Sequence, residues 1–127
     1  MSLRSPLSRA RGLGSAKEGV GHWWWQRLTA IALVPLTLWF AYGVVLHAGG
    51  GYEEVRAWIA SPVVAIGLAV FLAALFHHSQ LGIQVVIEDY VANEGLKLGS
   101  IVLVKFAHVL LAAAAIFAVL KIALAGA

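Results

Sequence analysis

Three long apolar runs, over about residues 27–47, 62–87 and 98–124, decide what this chain can be. The first two hold no Asp, Glu or Lys, and Arg27 stands only at the mouth of the first; the third holds two lysines. Each is long enough as a helix to cross the ~30 Å hydrocarbon core of a bilayer. Lipid offers no partners to backbone N–H and C=O groups, so such segments must be helical. With 61% of its 127 residues hydrophobic and 12% charged, a chain of this size cannot hide its apolar surface as a soluble domain. The reading is an all-α membrane protein, one domain over residues 1–127, with three transmembrane helices.

Orientation follows from the cations. Arg4, Arg9, Arg11, Lys17 and Arg27 stand against Glu18 alone in the first 27 residues. The net charge of +3 is therefore a mark of topology rather than of nucleic-acid binding, and it puts the N-terminus on the cytoplasmic side and the C-terminus opposite. Segment 1–26 is read as a cytoplasmic and interfacial lead. It is expected to be neither a signal nor a transit peptide, because the apolar run begins only near Arg27, is longer than a cleavable core and has no small-residue cleavage site at a suitable place. Trp23, Trp24 and Trp25 suit an interfacial aromatic belt.

Between the spans, Gly49-Gly50-Gly51 marks a turn, and residues 52–59 alternate as an amphipathic helix lying in the interface. Ser61-Pro62 opens the second span as N-cap and first helical residue. Residues 88–97 read as a polar connection on the cytoplasmic side; its excess of acid suits a basic partner, and Gly95 leads into the third span.

There is no cysteine, which excludes disulfides, thiolate zinc and cysteine-held iron–sulfur clusters from this chain. No dinucleotide-binding fingerprint is present either. Chemistry has to come from ionisable groups inside the spans, which are costly there: His77, His78, Lys105 and His108. Adjacent residues on a helix point about 100° apart, so His77 and His78 cannot serve one ligand. His78 lies ~15 Å along the helix from Glu88, near mid-membrane, with Gly82 leaving space one turn on. His108 lies at similar depth. Spacing alone leaves two haem arrangements open: His78 with His108, or His78 with a histidine from a partner. Arg27 is either a positive-inside anchor, favoured on position alone, or the partner of an anionic group such as a haem propionate. Lys105 reads as a snorkelling or pairing residue. Tyr90 is an interfacial tyrosine or a hydrogen-bond donor to a quinone carbonyl, with Asp89 beside it holding water or protons.

The stretch from His78 through Gly82 to Asp89-Tyr90, together with Arg27-Leu28-Thr29-Ala30 and the His22-Trp23-Trp24-Trp25-Gln26-Arg27 approach, resembles the membrane-anchor subunits of succinate dehydrogenase, and the three-span layout extends the resemblance over nearly the whole chain. The resemblance implies that His78 is one axial ligand of a haem b, the other coming from a second membrane-anchor (cytochrome b) subunit. It implies Arg27 near the haem propionates, and Tyr90 with Asp89 at a ubiquinone site. It assigns no site to His77, Lys105 or His108. Succinate chemistry would then belong to flavoprotein and iron–sulfur subunits that this chain docks on the membrane, linking the tricarboxylic acid cycle to the respiratory chain. No residue here is catalytic towards succinate. The bacterial inner membrane is expected before the mitochondrial one. Two other readings stand beside this one: a self-contained b-type cytochrome using His78 and His108, and a haem-free scaffold or transporter component whose histidines only join helices.

Overall fold

The computed structural model describes residue 7 and residues 19–125, and every described element is helical. In chain order these are α1 (Gly19–His47), α2 (Tyr52–Ala60), α3 (Pro62–Tyr90) and α4 (Glu94–Leu124). The fold is all-α, and α1, α3 and α4 are each long and apolar enough to span a membrane. At 29, 29 and 31 residues they are about 43–47 Å long, so they tilt or stand proud of the core. Of the N-terminal lead, residues 19–26 form the first turns of α1; Arg4, Arg9, Arg11, Lys17 and Glu18 lie outside the described residues.

The central helix is α3, which packs against α1 on one side and α4 on the other. It contributes nearly all of the core: Ala65, Leu68, Phe71, Gln80 and Leu81 are buried, whereas α1 buries Thr29 and Gly43, and α4 buries none of its described residues. Phe40 of α1 stacks on Phe71 at 5.1 Å. A Cβ on Gly67 would come within 2.8 Å of the Trp39 ring, so the missing side chain is what admits the indole between α1 and α3.

The amphipathic stretch is helical as α2, which packs along α4 and α3 and reaches α1 through Trp58. That ring stacks on His47 at 4.8 Å and lies directly over the backbone of Gly43, where any Cβ would collide with it. His47 is fixed in turn by donating from Nδ1 to the Gly43 carbonyl at 2.8 Å. Glu53, Glu54 and Arg56 occupy the polar side, with an exposed Glu53–Arg56 pair at 3.7 Å.

At the helix ends one expectation holds and one changes. Ser61 stands at the N-cap of α3 with Pro62 behind it, but its side chain makes no capping bond; its carbonyl accepts from Ala65 N–H at 2.8 Å instead. The polar connection is also shorter than its composition suggests. Glu88, Asp89 and Tyr90 are the last turn of α3, Glu94 and Gly95 are already in α4, and residues 91–93 alone join them. Asn93 makes this possible, since its side-chain oxygen accepts from Leu96 N–H at 3.0 Å and caps α4. Lys97 then pairs with Glu94 at 2.9 Å across one turn.

Candidate functional site

The polar residues of the spans sort onto two faces of α3. On the first face, successive turns carry His78, Gly82, Val85 and Asp89, in the i, i+4, i+7, i+11 pattern of a helical stripe. This face meets α1. Thr29 is buried there, and its Oγ1 lies 3.0 Å from His78 Nδ1, 2.7 Å from the Trp25 carbonyl and 3.2 Å from the Gln26 carbonyl. One turn outward the two helices part to leave an open cleft of about 540 Å³, lined by His22, Trp23, Gln26, Arg27, Gly82 and Val85. Gly82 keeps it open: a Cβ there would meet only the Gln26 amide nitrogen within 4 Å, at 3.9 Å, and would stand in the cleft. Arg27 is exposed on the cleft, with its guanidinium 5.6 Å from the centre of the Trp23 ring.

The cleft holds unmet polar demand. His22 Nε2 and Gln26 Oε1 are buried and have no hydrogen-bond partner among the described residues. Buried polar atoms without partners are costly, and here a donor or acceptor supplied by a ligand or a neighbouring subunit would satisfy them. In the sequence His22 and Gln26 stand out only as part of the approach to Arg27. The signal that finds them is the spacing of His22, Gln26 and Thr29, three polar groups at i, i+4 and i+7 on one face of a membrane helix.

On the second face of α3, His77, Gln80, Gln84 and Glu88 line a cleft with Lys105 of α4, and His22 of α1 borders this cleft as well as the first. Their amides form a ladder: Gln80 Nε2 donates to Gln84 Oε1 at 3.1 Å, and Gln84 Nε2 donates to Glu88 Oε1 at 2.8 Å. His77 is exposed and meets Trp25 edge-on at 5.6 Å. Deeper in, His108 donates from Nδ1 to the Val104 carbonyl at 2.8 Å, so its Nε2, 3.3 Å from Ser79 Oγ, accepts from that hydroxyl. Both of its ring nitrogens are engaged.

The sequence-predicted site residues therefore do not all meet. Arg27 and Gly82 line one cleft, and His78 is one turn deeper on the same face. His108 reaches Ser79 on the α4 side, whereas His78 reaches Thr29 on the α1 side, so the two imidazoles serve different interfaces. Asp89 continues the His78 stripe at the exposed end of α3; Tyr90, 83% exposed, is rotated about 100° from it, and neither lines the cleft. Among the described residues no three His, Cys, Asp or Glu side chains gather as a metal site.

Residues 1–120 match the family model described as the succinate dehydrogenase/fumarate reductase transmembrane subunit. The chain belongs to that family. Among curated members, it is 35% identical over 117 residues to the succinate dehydrogenase hydrophobic membrane anchor subunit of Rickettsia bellii, covering 92% of this chain and 94% of the relative. It is 33% identical over 114 residues to the protein of the same name from Paracoccus denitrificans, covering 90% and 88%. The succinate dehydrogenase membrane anchor subunit of Reclinomonas americana is 30% identical over 92 residues, covering 70% and 77%. No solved structure matches the chain. Family membership and the three apolar helices make it a multi-pass membrane protein.

Proposed function

We propose that this chain is the membrane anchor of a succinate:quinone oxidoreductase, docking a flavoprotein and an iron–sulfur subunit and completing a haem b and a ubiquinone site with a second anchor subunit. The observation that carries the reading is the α1–α3 cleft: a cation, Arg27, and a glycine-made opening at Gly82 lie one turn outward from His78. An imidazole with a guanidinium one turn nearer the helix end suits a haem, whose iron His78 would hold and whose carboxylate groups Arg27 would bind. His78 would supply one iron ligand and Arg27 would bind a propionate. When bound, the haem would supply a one-electron carrier.

The second ligand comes from the partner anchor in this reading. Support lies in the commitment of both His108 nitrogens to Val104 and Ser79, on the side of α3 away from Thr29, which disfavours a cytochrome built on His78 and His108 within one chain. Tyr90 and Asp89, exposed at the end of α3, stand where soluble subunits would approach, and the Tyr90 hydroxyl would donate to a ubiquinone carbonyl. The N-terminus lies in the cytoplasm of a bacterium whose inner membrane holds the complex.

The reduced-minus-oxidised optical spectrum of the complex purified through this chain tests the proposal, with His78→Ala and His108→Ala compared to wild type. The b-type signal should vanish in His78→Ala alone, with flavin and iron–sulfur proteins co-purifying. Loss in both variants, in a preparation without those proteins, would sink the anchor reading in favour of the self-contained cytochrome.

A further inference from the structure

We infer that Thr29 is the positioning residue for the histidine ligand, fixing both the tautomer and the direction of His78. The inference rests on the haem reading above and deepens it.

The hydrogen on Thr29 can be placed by distance. Its Oγ1 lies 2.7 Å from the Trp25 carbonyl oxygen, a separation that two oxygens adopt only with a hydrogen between them. The hydroxyl therefore donates to Trp25, the back-bond that threonine makes within a helix. A hydroxyl has one hydrogen, so toward His78 the same oxygen can only accept. The 3.0 Å contact is then Nδ1–H of His78 donating to Thr29 Oγ1. That leaves the lone pair of His78 on Nε2, the nitrogen farther from the backbone and the one able to bind a metal.

The other bonded histidines show what Thr29 prevents. His47 and His108 each donate from Nδ1 to the carbonyl four residues back in their own helix, Gly43 and Val104. His78 has a residue in the equivalent place, Ala74, but donates across the helix interface instead. Removing the acceptor on α1 would leave a half-buried N–H to satisfy, and turning to its own helix carbonyl is the nearest remedy. That turn would re-aim Nε2. The buried position of Thr29, 7% exposed, also keeps water from taking over the acceptor role.

The test uses the assembled complex purified through this chain, comparing Thr29→Val, Thr29→Ala, Thr29→Ser and His78→Ala. Haem per chain is measured by pyridine haemochrome, together with the midpoint potential of the b signal and its low-spin ferric resonance. Once the N–H turns to the helix carbonyl, Nε2 is re-aimed, so both hydroxyl-free variants should move the midpoint and the resonance away from wild type and lose haem about tenfold more readily. Thr29→Ser should restore wild-type values, which simple repacking would not produce. Wild-type potential, resonance and haem retention in both Thr29→Val and Thr29→Ala, with the signal abolished in His78→Ala, would overturn the role of Thr29 alone. A b signal that survives His78→Ala would overturn the haem reading itself.

Discussion

Single atoms set the terms at the α1–α3 cleft. Gly82 is there for its missing Cβ, and the space beside it can be closed by one substitution. Gly82→Leu should leave the chain in the membrane, since leucine is a good helix former in lipid, while abolishing b-type haem; haemochrome analysis beside an immunoblot of the membrane fraction separates the two. Tyr90, exposed and remote from the cleft, predicts the opposite pattern. Tyr90→Phe should lower ubiquinone reduction several-fold with haem content intact, and unchanged turnover with ubiquinone would remove it from the quinone site. At this scale residue type is legible in the sequence: His78, Arg27 and Gly82 stand out because lipid makes polar and missing side chains conspicuous. The sequence does not say which way each one turns. That His108 engages Ser79 while His78 engages Thr29 depends on helix–helix register, which a sequence of apolar residues around them does not encode locally.

Among the elements, the spans were legible because a bilayer imposes length and hydropathy, and the interfacial helix because its polar and apolar residues alternate. Their ends were less so. The residue that ends the α3–α4 connection is Asn93, whose capping role depends on one side-chain bond to Leu96 N–H. Asn93→Ala should cost roughly 1 kcal/mol and fray the start of α4, seen as faster amide exchange over residues 94–97. The contact of α2 with α1 has no local sequence signal, because Gly43 and Trp58 are fifteen positions apart and neither announces the other. Here Gly43→Leu should lift Trp58 off α1, with a rise in tryptophan exposure to a water-soluble quencher and faster exchange in 52–60. α1 and α3 should keep their protection, being held together elsewhere through Phe40–Phe71 and Trp39 on Gly67.

For the whole molecule, the balance of buried and open surface matters most. Four apolar residues make up the buried core among the described residues, and α4 buries none, so most of the apolar surface must face lipid or other subunits. Orientation in the bilayer can be measured directly, since the chain has no native cysteine to interfere. Ser2→Cys should react with an impermeant maleimide only in inside-out vesicles and Ala127→Cys only in right-side-out ones. The reverse pattern would invert the topology read from the cationic N-terminus. The three-residue join between α3 and α4 bears on how the protein is made. Two helices so closely linked can leave the insertion machinery as a paired hairpin, because closing a short loop is fast and costs little entropy. The Thr29–His78 contact spans 49 positions and waits on a helix inserted earlier. If Thr29 positions His78 as proposed, the direction of the imidazole depends on a long-range docking of α1 onto the hairpin rather than on α3 alone.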